Sequence, residues 1–523
     1  MIHEAQLGTF DSAIGAVARP GCEGRNGCCA ATERTSTMAT TVERPPARSD
    51  TAPPDIGSGD HPAGPSRAAE LGMFSSTALV VGSIIGTGVF TMPAVMAGAG
   101  TSSLITLGVI AIGAVLLGML FGQLTKRVPS VDGGLYAYSR HEFGDFAGYL
   151  TAWCYWITCW AGNAAIVASW VLYVESLFGI ENPTSWVNWG IALTGLWIPA
   201  VINLVGVRQM AWFQNVTVVL KFVPLLLVAV VGWFFVSSAN FGPFNASGGS
   251  LYDGVGIAAG VALFSFIGVE CASIAASRVK NPRRNVGRAS VLGTAASGLL
   301  YLAVTAVIMG LVPHDQLVTD GAPFVAGFNT MFGDAAWVGK GVALVAVISG
   351  IGALNGWTLV TAEMPYAAAK DGLFLQSFAK VDRRGTPWFG IVVSTLVASI
   401  LMGWSYSGAT GLKVFTYLVY LSVVTVAIPY FFSACAQLSF LVSRRRKVQG
   451  WNLTRDLAIC ITGVLFSLWV TFASGYQAVY QAMVLVLVGL PLYAFLKARR
   501  ERLGLVSEPV EVDESADPLA TVG

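Results

Sequence analysis

Charge is what this chain has least of. Asp, Glu, Lys and Arg together make up 11% of its 523 residues, against about 25% in an ordinary soluble domain. A soluble protein of this length needs a polar skin, and too few residues are present to build one. Histidine is scarcer still: His3, His61, His141 and His314 are the whole set, and none falls mid-way along an apolar run. Without a histidine cluster or a Cys-x-x-Cys pair, no metal site is expected. The cysteines supply no disulfide framework either, because Cys22, Cys28 and Cys29 lie in a polar tail while Cys154, Cys159, Cys271, Cys435 and Cys460 are scattered through apolar stretches. An excess of one sign is also missing: 31 basic against 29 acidic residues leave +2, which removes the electrostatic basis for binding nucleic acid. No phosphate-binding loop is present, since "GDAAWVGKG" has the wrong spacing and puts Gly341 where Ser or Thr is required, so a nucleotide-driven pump is excluded. Nor is there a nucleophile–base pair or ligand set to mark an enzyme, and no cofactor is expected.

What the chain does have is apolar length. It is 54% hydrophobic, with a mean hydropathy of +0.65, the composition of a polytopic membrane protein. Residues 1–70 are rich in Pro, Gly, Ser, Arg and Asp without hydrophobic periodicity, and read as a disordered cytoplasmic tail. No signal peptide is visible in them, and Met38 is an alternative start. The transporter-sized apolar zone covers 71–498, and an acidic, Pro-containing tail, 499–523, closes the chain and also reads as disordered. At about 20 residues per crossing, the apolar zone divides at Gly, Pro and charge clusters into about twelve spans. These are 72–98, 102–125, 143–177, 186–206, 210–237, 253–277, 288–312, 335–368, 387–407, 413–442, 455–474 and 477–497. All are expected to be helices, because lipid offers no partner to an open peptide group and the ten-residue alternation of a membrane barrel is absent.

Every second connection is basic, from Lys126, Arg127 and Arg140 through Arg208, the cluster Arg278 to Arg288, Lys370 to Arg384 and the run Arg444 to Lys447, to Lys497 to Arg502. The alternate connections hold almost no Lys or Arg, so both termini are expected in the cytoplasm. Topology alone accounts for these clusters, without lipid-headgroup sites.

Two spans break the pattern of a lipid-facing helix. Span 1 carries "GSIIGTGVFTMP", in which Gly82, Gly86 and Gly88 precede Pro93, and span 6 carries "FSFIGVECAS", in which Gly268 stands beside the intramembrane carboxylate of Glu270. Glycines alone signal close helix packing. Paired at corresponding places in two five-helix halves, they point to an inverted repeat with discontinuous helices around a midplane site. An opened segment there frees peptide N–H groups that hold a carboxylate without a basic side chain.

Five strings carry a family resemblance: "GTGVFTMPA" in span 1, "CWAGNAAIV" in span 3, "FSFIGVECASIAASRVKNPRRNV" in span 6, "NGWTLVTAE" followed by "AAAKDGLF" in span 8, and "SVVTVAIPY" in span 10. Together they resemble the amino acid–polyamine–organocation superfamily, its basic amino acid/polyamine antiporter branch, and within that the bacterial arginine/agmatine antiporters. The resemblance implies a five-plus-five inverted repeat with two further helices, alternating access across the cell (plasma or inner) membrane, and a homodimer in contact with lipid. Carried over, the substrate's carboxylate and amine fall to Ile84, Thr87 and Gly88, and its distal cation to Thr158, Cys159 and Asn163. Phe264 and Ile267, Trp357 and Ser422 complete the binding set, and Tyr155, Glu270 and Tyr430 form a cytoplasmic gate.

The residues bear on this independently. Tyr155, Cys159 and Asn163 recur every four residues and share one helix face, suited equally to interhelical hydrogen bonds. A mid-membrane carboxylate such as Glu270 is costly unless paired and points to a substrate or proton role. Trp357 is one of fifteen tryptophans, most of which serve packing, but an indole is also the best aromatic surface for a cation. Two departures stand out. Phe264 occupies a position where the antiporters carry a tryptophan, giving a smaller lid over the substrate. Lys221, within "VVLKFVPLLLV" of span 5, resembles the lysine that proton-coupled relatives place at a sodium position, and serves either proton coupling or bracing of span 1 carbonyls. The expected function is exchange of cationic amino acids or their amines. A proton-coupled importer of broader specificity and an amino acid sensor are the alternatives.

Overall fold

Span 1 is not one helix but two. In the computed structural model, which describes residues 71–86, 88–128, 134–205, 207–333, 335–409, 411–443 and 451–502, span 1a runs Met73–Ile84 and span 1b Gly88–Ala99. Span 6 is interrupted likewise, into 6a (Leu251–Phe266) and 6b (Cys271–Ile274). The others are span 2 (Ser102–Arg127), span 3 (Leu135–Phe178), span 4 (Ser185–Val205), span 5 (Val207–Val231), span 7 (Pro282–Leu311) and span 8 (Ala336–Lys370). Span 9 (Trp388–Gly408), span 10 (Leu412–Val442), span 11 (Trp451–Ala473) and span 12 (Tyr476–Arg502) complete the set. Eleven of these are long and apolar enough to cross a membrane, and the bent pair 1a and 1b makes twelve. No β-sheet forms among the described residues. The chain is therefore an all-α polytopic membrane protein. Thr87, the Arg208 side chain, the run 444–447, the N-terminal tail 1–70 and residues 503–523 of the C-terminal tail lie outside the described residues.

Helix packing repeats with an offset of five. Span 1a packs on span 7 as span 6a packs on span 2, span 3 packs on span 10 as span 8 packs on span 5, and span 3 meets span 9 as span 8 meets span 4. Spans 2 and 7, 3 and 8, and 4 and 9 pair with their own counterparts. Because five is odd, each span runs opposite to its equivalent, which is what makes the repeat inverted. Spans 11 and 12 stand outside it and pack chiefly on span 10.

Small residues set the closest approaches. A Cβ on Gly122 of span 2 would lie 2.4 Å from the Gly287 Cα of span 7, so these spans meet backbone to backbone. Gly268 lies at the crossing of the two broken helices. Its φ is +120°, and a Cβ there would come within 3.0 Å of Ile84 N and Ser83 C. Ile267, just before it, is extended (φ −60°, ψ 126°), and Ile85 leaves the helical region at the end of span 1a (φ −78°, ψ 87°).

On the basic face the loops are tied by more than topology. Non-helical Gly144 (φ 81°) separates the first turns of Leu135–Phe178 from the crossing part. Around it Arg140 pairs with Asp145 and with Asp371 beyond span 8, both at 2.9 Å, and Arg500 of span 12 pairs with Asp145 at 2.7 Å. That anchor accompanies the continuation of span 12 to Arg502, past the expected boundary at 498.

Substituting Gly268→Ala forces a side chain into left-handed backbone and against span 1. We expect a cost of about 1–3 kcal/mol, read as a lower thermal midpoint in detergent, whereas Gly179→Ala, also at positive φ but with open space around it, pays the backbone strain alone and falls less.

Candidate functional site

Interrupting span 1 leaves the carbonyls at the end of span 1a without helical partners, and in hydrocarbon each unmatched peptide group costs several kcal/mol. Side chains from three other spans meet them. Lys221 Nζ of span 5 donates to Gly82 O at 3.0 Å and Ile85 O at 2.5 Å. Trp357 Nε1 of span 8 donates to Ser83 O at 3.2 Å, and the Tyr301 hydroxyl of span 7 to Ile84 O at 2.8 Å. Lys221 is 2% exposed and Tyr301 1%. Bracing, one of the two roles open to Lys221 in the sequence, is thus the one its hydrogen bonds display.

The break in span 6 is closed by a carboxylate. Glu270 is fully buried. Its Oε1 accepts from the Tyr155 hydroxyl at 2.7 Å, and its Oε2 accepts from the Tyr430 hydroxyl at 2.8 Å and from the Gly268 N–H at 3.1 Å. Spans 3, 6 and 10 therefore converge on one charge. A carboxylate with three donors is stabilised without a base, and opening this contact separates span 6 from both neighbours.

Between the two breaks lies a small cavity lined by Ile84, Gly88, Thr158, Cys159, Phe264, Ile267, Trp357 and Ser422 among others. Phe264 presses on span 1b, its Cε1 only 3.2 Å from where a Gly88 Cβ would stand, and meets Phe415 edge-on with ring centroids 6.4 Å apart. Spans 3 and 10 are laced beneath it: Ser422 Oγ donates to Thr158 O at 3.0 Å, and the Thr158 and Thr425 hydroxyls share a 2.9 Å bond. Gly162 lets this happen, because a Cβ there would reach Ser422 Oγ at 3.3 Å.

Eight of the ten expected binding residues thus line one cavity, and the three expected gate residues form one hydrogen-bonded cluster. Thr87 lies outside the described residues. Asn163 is not among the lining residues; its Nδ2 donates to Thr361 Oγ1 at 3.1 Å, so the three-residue stripe of span 3 divides between gate, cavity and a bond to span 8. Sequence reasoning missed Ser83, Gly162, Ser265 and Tyr301, which also line the cavity. A lone Tyr301 in span 7 carried no spacing signal; its role follows only from which carbonyl it faces.

Two interrupted helices crossing at a buried, aromatic-walled cavity define a membrane transporter of the inverted-repeat class. The chain belongs to the amino acid permease family, whose model matches residues 71–492. Its relatives include the putrescine transporter PotE of Haemophilus influenzae, 29% identical over 82% of this chain and 97% of that protein. The arginine/ornithine antiporter of Pseudomonas aeruginosa is 29% identical over 84% and 92% respectively, and the cadaverine/lysine antiporter of Escherichia coli is 28% identical over 72% and 84%.

Replacing Lys221→Met keeps the length of the stem but orphans Gly82 O and Ile85 O. Each unmatched carbonyl is expected to cost about 1–3 kcal/mol, measurable as a thermal midpoint lowered more than by Trp357→Phe, which orphans one.

Proposed function

We propose that this protein exchanges cationic amino acids and their amines across the cell membrane by alternating access. The observation that carries the reading is a cavity set between two interrupted helices and walled by Phe264 and Trp357, with the buried Glu270 closing the break in span 6. A ligand with a carboxylate meets peptide N–H groups at the start of span 1b; a cationic end meets aromatic faces. The relatives, a putrescine transporter, an arginine/ornithine antiporter and a cadaverine/lysine antiporter, support the same substrate class. Phe264 and Trp357 close over the bound molecule, and parting of Tyr155 and Tyr430 from Glu270 opens the opposite side. Thr158 and Cys159 serve the distal end of the substrate, with Asn163 behind them, and Ile84, Thr87, Gly88, Ile267 and Ser422 the proximal end. The basic connections favour both termini in the cytoplasm, and the transporter domain is the apolar zone 71–498, with span 12 running on to Arg502. Lipid surrounds the apolar outer faces, and a second copy completes a homodimer.

The test is uptake of labelled arginine, ornithine and putrescine into vesicles holding the purified protein. We expect uptake only when unlabelled substrate is inside, with no dependence on an imposed proton gradient; accumulation into empty vesicles driven by the gradient would establish symport instead. Trp357→Ala is expected to raise the KM for arginine by about tenfold, equivalent to roughly 1.4 kcal/mol of lost cation–aromatic contact.

A further inference from the structure

The face opposite the basic loops holds a second cavity, open and far larger. Its walls are the end of span 3, the loop and first residue of span 4, the loop before Pro323–Phe332, and the junction of spans 9 and 10. Glu175, Glu181 and Asp320 line it, with Lys413 the one base among its lining residues. None of these carboxylates makes an ion pair among the described residues. One Glu175 oxygen is buried with no hydrogen-bond partner. Asp320 accepts the Ala322 N–H on Oδ1 at 2.7 Å. Tyr406 supplies an independent sign. Its side chain lines the cavity and is 2% exposed, yet its hydroxyl has no hydrogen-bond partner among the described residues.

An oxygen buried without a donor costs free energy that an incoming donor restores. Carboxylates in a low-dielectric mouth also concentrate cations from solution. An ammonium group brings three donors and a positive charge and so answers both needs. Span 3 contributes to both cavities: Leu172 lines the outer cavity and Ile166 the inner one, six residues or about 9 Å apart along one helix. We propose that this outer cavity is a separate receiving site for the ammonium or guanidinium end of the substrate, held by Glu175, Glu181 and Tyr406. It rests on the reading of cationic exchange and extends it to a second site.

Putrescine is the probe. Calorimetric titration of the full-length protein is expected to show two sites, the weaker of them sensitive to salt, and the double variant Glu175→Gln, Glu181→Gln is expected to lose only the weaker. In vesicles oriented with this face outward, the same variant raises the external KM for putrescine about tenfold and flattens its dependence on ionic strength, with the change confined to KM. Tyr406→Phe gives a smaller KM increase of the same kind. A purely structural role would instead lower the thermal midpoint and turnover together. Where the double variant does not fold, Glu181→Gln alone is read. One site in both proteins, or an unchanged external KM and salt dependence in folded variants, overturns the outer site. If the unaltered protein binds putrescine twice but exchanges nothing, the exchange reading fails while the outer site stands.

Discussion

Peptide groups opened inside a membrane must be matched by the protein itself, and the rest of this structure depends on that constraint. Breaking span 1 exposes the carbonyls of Gly82, Ser83, Ile84 and Ile85, and each is met by a donor from another span: Lys221 twice, Trp357 and Tyr301. Breaking span 6 exposes the Gly268 N–H, which donates to the carboxylate of Glu270. The donors come from spans 5, 7 and 8 and the acceptor is tied to spans 3 and 10, so two local interruptions organise most of the inverted repeat.

The same bonds supply the chemistry of transport. A half-helix end carries partial charge, and a break that is matched by side chains rather than by helix can be rematched by a ligand. Trp357 illustrates the economy: one edge of its indole secures Ser83 O while the side chain also walls the cavity. Glu270 illustrates the joining of spans: its three hydrogen bonds tie spans 3, 6 and 10 together.

Much of this was legible in the sequence, because membrane spans advertise themselves by length and the breaks by paired glycines. Gly82, Gly86 and Gly268 marked the interruptions, Glu270 announced itself as a carboxylate without a base, and its partner Tyr430 closed one of the family strings. What was not legible concerns which residues meet across helices. Helical spacing put Asn163 on the face of Cys159, but only three-dimensional packing turns its amide toward Thr361. Tyr301 looked like any aromatic in an apolar span until its hydroxyl was found on Ile84 O. Arg500 read as one more topological charge, though it clamps Asp145 some 355 positions earlier in the chain.

The claim that substrate occupies the cavity between the two breaks is tested most directly at Cys159, which lines it and is 2% exposed. In a variant that keeps Cys159 as its sole cysteine, a small thiol reagent should block exchange, and saturating arginine or putrescine should slow the modification in proportion to occupancy. Modification that proceeds at the same rate with and without substrate, in protein that still exchanges, would contradict the account.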